Sequence, residues 1–248
     1  MSQVAVVTGA SSGIGTEIAR ALSRTGRHCV LLARREERLR ALAEELDCEF
    51  ELCDVRDRAA VDCVAARVLE RHPQIAVLVN NAGVHGRTNF LDGDPEAIEN
   101  VIRTNYLGGV WCLRAFLPGL VAAAPSDVVN IVSVAGDVAF PPSGPYSASK
   151  HAQLAFSRAT AVQLRRRGIR VHTIKPGFVE TEGFPQRWLP PPARRIVVGP
   201  ETVAGHVLRS LERGRGESSV PRLYGVAGRL QALVPNTFSR LLGIKIGT

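Results

Sequence analysis

Aromatic residues make up only 5% of this 248-residue chain, and three lysines (Lys150, Lys175, Lys245) stand against 28 arginines. So few aromatics, and no recognisable nucleic-acid module, argue against base-stacking surfaces, and nucleic acid is not an expected partner. The net charge of +8 then reads as a general preference for arginine over lysine together with a phosphate-rich ligand. Cysteine is sparse: Cys29, Cys48, Cys53, Cys63 and Cys112 are odd in number and form no CxxC pair. That argues against a disulfide scaffold or zinc site and favours a reducing cytoplasm. The six histidines (His28, His72, His85, His151, His172, His206) are scattered without ligand spacing, so no metal is expected. Long apolar runs are missing as well. The most apolar stretch, 107–124, contains Arg114, Pro118 and three glycines and reads as a buried helix rather than a membrane span. No basic, apolar leader precedes Val4-Ala5-Val6-Val7, so cytoplasmic residence is the expectation.

What the chain does contain is alternation. Mainly apolar, β-branched runs predict strands at 4–8, 29–33, 50–53, 77–80, 128–133 and 171–175, continuous rather than alternating, as in a parallel sheet covered on both faces. A weaker run at 219–224 includes Pro221, which assigns it to an edge. Helical patterns fall at 15–24, 35–46, 59–71, 95–120 and 148–167. Asp94-Pro95-Glu96 is a good helix start, with a capping carboxylate, a first-turn proline and an acid at the positive dipole end. The β-α-β-α order, without internal repeats, predicts an α/β fold: a single doubly wound Rossmann-type domain over 1–248, with a mostly parallel seven-stranded sheet and helices on both faces.

The turn after the first strand reads Thr8-Gly9-Ala10-Ser11-Ser12-Gly13-Ile14-Gly15. Glycines there let the backbone approach a pyrophosphate, and the next helix offers free N–H groups and a positive dipole end. Strand two ends in Ala33-Arg34-Arg35. A carboxylate at this tip would bind the ribose hydroxyls of NAD. Two guanidinium groups suit a 2′-phosphate instead, so NADP(H) is favoured, with Arg34 the stronger candidate. The alternative is a solvated basic helix start paired with Glu36 and Glu37. Asp54-Val55, after strand three, suits an adenine amino group and ring. Asn80-Asn81-Ala82-Gly83 lies at a strand's carboxyl end, where ligands of open α/β sheets bind, although Asn80 can equally tie strand ends together. Asn105, a poor helix former inside 95–120, has either a polar task or a buried hydrogen bond.

The chemistry centres on Tyr146 and Lys150. Four apart on a helix, they share a face. They are either surface neighbours or a catalytic pair, and three of each residue in 248 gives roughly 0.04 such pairs by chance. A free phenol titrates near ~10, and a nearby ammonium should lower that value, letting Tyr146 exchange protons with a ketone or alcohol oxygen.

Together with Ser133 and Pro176-Gly177, these motifs in this order resemble the short-chain dehydrogenase/reductase family, in its NADP-preferring type, from Val4 to about Thr181. The resemblance implies Tyr146 as acid/base and Ser133 as the group holding the substrate oxygen, the two being 13 apart as is usual in the family. It implies Lys150 as the residue that lowers the tyrosine's pKa and binds the nicotinamide ribose, and Asn105 as the holder of a water linking Lys150 to solvent. Pro176, Gly177, Val179 and Thr181 would support the nicotinamide. Other chemistries on this scaffold (epimerisation, dehydration) and a non-catalytic sensor of nicotinamide redox state are the alternatives. The resemblance also implies a homodimer or homotetramer formed through helices 95–120 and 148–167.

Substrate choice is expected in the segment 182–200, with Phe184 and Trp188 pointing to a hydrophobic ketone or alcohol unless they only pack the loop down. Residues 134–145 add a further wall. The basic, apolar extension 225–248 has three readings: a lid over the substrate mouth, a subunit contact, or an anchor on anionic membrane surface, in that order.

Overall fold

The computed structural model describes residues 3–86, 88–140, 143–183, 185, 196–226, 233–234 and 237. Its centre is β1 (Val4–Thr8), an unbroken apolar run buried on both faces. Ala5 and Val7 face a layer that includes Ile18, Leu22, Leu39 and Val207. Val4 and Val6 face the opposite layer, with Val64, Val68, Phe116 and Leu164. Burying one such side chain stabilises by about 1.5–3 kcal/mol, so a two-sided apolar strand fixes the layering.

The first layer holds α1 (Gly13–Ser23), α2 (Glu36–Leu46) and α7 (Pro200–Arg213); the second holds α3 (Arg58–Arg71), α5 (Gly108–Ala122) and α6 (Gly144–Arg165). The remaining strands are β2 (His28–Ala33), β3 (Glu49–Leu52), β4 (Val77–Asn80), β5 (Ser126–Ile131), β6 (Ile169–Pro176) and β7 (Glu217–Val220). They form one sheet in the order β3-β2-β1-β4-β5-β6-β7, with every pairing parallel. The chain steps from β1 outward through β2 to β3, then returns to lay β4 on the other side of β1. The carboxyl ends of β1 and β4 therefore flank the switch point where such sheets bind ligands.

Several boundaries differ from the sequence pattern. Helix α6 begins at Gly144 rather than 148, so Tyr146 and Lys150 both lie within it. Strand β5 stops at Ile131, and Ser133 caps a short 3-10 turn, Val134–Gly136, instead of closing the strand. Strand β7 ends before Pro221 and, among the described residues, pairs only with β6, the edge position that proline tolerates. The segment expected as one helix over 95–120 is α4 (Pro95–Ile102), a π-helical turn (Arg103–Leu107) and α5 in succession. Helix α7 is absent from the sequence expectation. Its apolar stripe, Val203, Ala204, Val207 and Leu211 with Leu208 packed beside them, runs at helical spacing, and the opposite face is polar. A parallel bridge between Val179 and Val198 pins the two stems of the intervening segment. Among the described residues, no helix is long and apolar enough to cross a membrane.

Candidate active site

At the switch point the ends of β1 and β4 are laced together. Thr8 Oγ1 donates to the Val79 carbonyl at 3.1 Å and accepts from the Asn81 and Ala82 N–H groups at 3.0 and 3.1 Å. Asn81 Nδ2 donates to the carbonyls of Thr8 and Gly9 at 3.0 and 3.3 Å. Asn80 instead donates to Asn130 at 2.9 Å within the sheet, the strand-tying role left open by the sequence. Gly9 has φ +67°, and a Cβ there would fall 2.8 Å from the Ala82 Cα; only glycine lets the turn pack so closely. Gly15 lies behind the turn, where a Cβ would come 2.3 Å from the Gly9 carbonyl oxygen. It lies behind the residues that line the crevice and brings α1 up against the turn. No side chain caps α1 at Ser12, so the first-turn N–H groups of the helix are left for an anion.

The crevice in front of this turn has a volume of about 1200 Å³. Gly9, Ser11, Ser12, Gly13 and Ile14 line it, as do Arg34, Arg35, Asp54 and Val55. Arg35 Nε donates to Ser11 Oγ at 3.1 Å, and its Nη2 donates to Ser12 Oγ. Arg34 is well exposed, 3.9 Å from Asp54. Asp54 is gripped by Arg56, whose Nε and Nη2 donate at 3.0 and 2.5 Å; those bonds hold its carboxyl below the usual range. Asn81, Ala82 and Gly83 also line the crevice, followed by Ser133, Tyr146 and Lys150, with Pro176, Gly177, Val179 and Thr181. Val134, Ala135, Phe140 and Ser143 add the further wall expected from 134–145.

Tyr146 and Lys150 share a face of α6, with Lys150 Nζ 5.8 Å from the centre of the tyrosine ring. The electrostatics differ from the expectation that the ammonium depresses the phenol. Lys150 is buried, and its Nζ donates to the Ile131 carbonyl at 3.1 Å and to Gln153 Oε1 at 2.7 Å. Desolvation pulls its pKa down to about 7. Desolvation pushes the Tyr146 phenol up from its ordinary value, and the hydrogen bond from Ser133 is what pulls it the other way. Ser133 Oγ also accepts from the Ala135 N–H at 3.1 Å and lies within donating distance, 3.4 Å, of the Pro176 carbonyl.

Asn105 sits fully buried in the π-helical turn. Its Oδ1 accepts from the Val84 N–H at 2.7 Å, and its Nδ2 donates to the Val84 carbonyl and Ser149 Oγ, both at 2.9 Å. Its amide therefore splints the loop after Gly83 to α6, and Asn105 does not itself line the crevice. A π-helical turn inside a long helix often marks a functional site.

Sequence reasoning missed several members. The His85 ring stacks on Tyr146 with centroids 4.7 Å apart and planes at 28°. Nothing in the pattern around it gave a signal. Gln153 follows Lys150 by three, the helical spacing that could have exposed it. Far from the crevice, His28 and His72 converge on Glu49, although their spacing in the chain is 44 residues. Phe184 and Trp188 lie outside the described residues, as does most of 182–200 and of 225–248.

A doubly wound parallel sheet with a glycine-cradled crevice at its switch point defines a Rossmann-type nucleotide-binding protein. Residues 3–189 match the sequence profile of the short chain dehydrogenase family, and the chain belongs to that family of oxidoreductases. It is 39% identical over 187 residues to a Streptomyces coelicolor protein named as a ketoacyl reductase, covering 73% of this chain and 72% of the relative. It spans 62% of a zebrafish (Danio rerio) relative named dehydrogenase/reductase SDR family member 7B, at 35% identity over 190 residues and 72% of this chain. Among solved structures, a variant of actinorhodin polyketide ketoreductase with NADPH superposes with a TM-score of 0.75 at 34% identity, covering 84% of this chain and 89% of that one. A Burkholderia cenocepacia short chain dehydrogenase in complex with NADP gives a TM-score of 0.83 at 27% identity, covering 100% and 98%.

Proposed function

We propose that the protein is an NADP(H)-dependent carbonyl reductase acting on a hydrophobic ketone, or in reverse on a secondary alcohol. The observation that carries the reading is a single crevice whose wall holds both the Ser11–Ser12–Arg35 cluster and the Ser133–Tyr146–Lys150 set.

NADP(H) fits these residues. The uncapped start of α1 leaves free N–H groups for a pyrophosphate, and the glycine at position 9 keeps the turn packed against Asn81 and Ala82 beside them. Arg35, with Ser11 and Ser12, and the exposed Arg34 would hold a 2′-phosphate by charge-assisted hydrogen bonds. Asp54 and Val55 would take the adenine. Asn81, Ala82 and Gly83 would line the middle of the dinucleotide, and Pro176, Gly177, Val179 and Thr181 the nicotinamide end. When bound, the dinucleotide supplies the hydride exchanged with the carbonyl carbon. NADPH on an actinorhodin ketoreductase, 34% identical, supports the same pairing here.

Ser133 and Tyr146 then bind the carbonyl oxygen and orient its carbon. Tyr146 Oη gives its proton to that oxygen as negative charge develops, or takes it from an alcohol, a step that contributes ~10²–10⁴-fold. A phenol raised by burial is a neutral acid at neutral pH, suited to reduction. Lys150, at about 7, exchanges protons near the working pH and would return one to the phenolate. Asn105 keeps α6 and the Val84 loop in register around this set. Cytoplasmic residence accompanies the reading. So does a homodimer or homotetramer through α4, α5 and α6, which the exposure of Val121 and Val162 on two of those helices supports.

The test is to follow NADPH absorbance over a panel of ketones, steroids, retinoids, sugars and acyl thioesters, with NADH alongside. Turnover of apolar ketones with NADPH above NADH is expected. Turnover of none of them, with NADPH nonetheless bound, overturns the reading.

A further inference from the structure

At the end of the sheet opposite the crevice, three elements bring together a donor set that the carbonyl chemistry does not use. His28 opens β2 and Glu49 opens β3, the edge strand. Glu49 pairs in register with Val30, so His28 lies two positions back on the same face. His72 ends α3, its N–H bonded to the Val68 carbonyl at 2.7 Å. The Nε2 atoms of both histidines converge on the same oxygen, Glu49 Oε1, at 3.0 and 2.6 Å. The rings are 5.3 Å apart, and one donor atom from each of the three side chains lies within 4.8 Å of the others.

We propose that His28, Glu49 and His72 bind one divalent transition-metal ion, Zn²⁺ by ligand chemistry, which staples β2, β3 and α3 together. Two imidazoles and one carboxylate form a donor set typical of zinc, with a fourth position for water. Ligands at ~2.0–2.1 Å from such an ion stand roughly 3.3–3.5 Å apart, so the two short contacts need to open by only a fraction of an ångström. The side chains are partly exposed, which gives an ion and its water a way in. Arg71 Nε donates to Glu49 Oε2 at 2.9 Å, so the second oxygen is held from outside and Oε1 is aimed at the histidines. Ligating carboxylates are oriented by outer partners in the same way. From His28 to Arg34 the chain runs six residues along β2, about 20 Å, so this ion takes no part at the carbonyl. Its effect is on the stability of the sheet edge, which has a single strand neighbour to hold it.

The experiment uses the full-length chain, freed of metal with a chelator and titrated with ZnCl₂ by calorimetry, and with Co²⁺ as a spectroscopic substitute. One equivalent of Zn²⁺ is expected to bind, to raise the melting temperature by about 5–10 °C at a hundredfold excess over Kd, and to leave NADPH turnover unchanged. Co²⁺ should give the visible bands of a four- or five-coordinate N/O site. In His28→Gln and His72→Gln, affinity should fall by more than the ~10–100-fold carried by outer-shell partners. Because either variant could fail to fold, a Zn²⁺-soaked crystal of the unaltered protein provides an independent check. An anomalous peak among the three side chains supports the site. No stoichiometric binding, unchanged affinity in both variants, or a peak elsewhere overturns it.

Discussion

Gln153 accepts a hydrogen bond from the Lys150 ammonium at 2.7 Å, one helical turn further along α6, while the Tyr146 ring lies on the lysine's other side with its centre 5.8 Å away. The lysine's charge is thus held by the helix and the end of β5, almost fully buried at the inner wall of the crevice. Gln153→Leu removes an acceptor that favours the charged form, so the lysine's pKa falls further below about 7. A hydrogen bond to a charged group contributes about 1.5–3 kcal/mol, or roughly one to two pH units. The limb of the kcat–pH profile set by Lys150 should move to lower pH by about that much. A profile that does not move would remove Lys150 from the proton path.

Burial of Lys150 also gives a pH dependence of stability. Its pKa is near 7 folded and about 10.4 unfolded, so between these values the unfolded chain binds more protons. Stability from this group therefore rises with pH, by up to about 1.4 kcal/mol per unit, and the strain of a buried charge is present in full below 7. Lys150→Met should flatten this slope in urea unfolding between pH 7 and 10, match or exceed the unaltered protein in stability at pH 7, and lose activity. An unchanged slope would mean the ammonium is not desolvated.

Arg35 is already turned onto Ser11 and Ser12 across the mouth of the crevice. Loss of one charge-assisted contact to a phosphate costs about 1.5–3 kcal/mol. Arg35→Ala should therefore raise the KM for NADPH by about 10–150-fold and change that for NADH little. Equal effects on the two would place the phosphate elsewhere, with Arg34→Ala the next variant to measure.

Asn105 fills both hydrogen-bonding ends of Val84 and reaches Ser149. Asn105→Ala leaves buried polar groups unpaired at about 1–3 kcal/mol each, and a chain of this size loses about 2–4 °C per kcal/mol. Calorimetry should show a fall of several degrees together with reduced kcat. A variant with unchanged melting temperature and reduced kcat would favour the water-holding role over the splint.

The sheet was legible because its central strands β1, β2 and β4 are nearly unbroken apolar runs, while β3, β5, β6 and β7 carry polar residues and were placed by their alternation with helices. The crevice was legible because Thr8–Gly15, Asp54-Val55 and Asn81–Gly83 sit at strand ends. Helix α7 was overlooked, although its apolar residues at 203, 204, 207, 208 and 211 fall at helical spacing. Spacing put Tyr146 and Lys150 on one face of a helix, and the resemblance to a family supplied their expected roles, but neither gave their electrostatics. Whether an ammonium lowers a phenol depends on burial and on acceptors such as the Ile131 carbonyl, which come from the fold. The convergence of His28 and His72 was illegible for a related reason: parallel crossovers place residues 44 apart in the chain side by side.

The central claim is that the Tyr146 phenol moves the proton. Tyr146→Phe removes one oxygen and leaves the ring free to stack on His85. Steady-state NADPH oxidation, paired with fluorescence titration of NADPH binding, tests it directly. Turnover should fall by ~10²–10⁴-fold with cofactor affinity nearly unchanged. Turnover that survives the substitution within a few-fold would contradict the account.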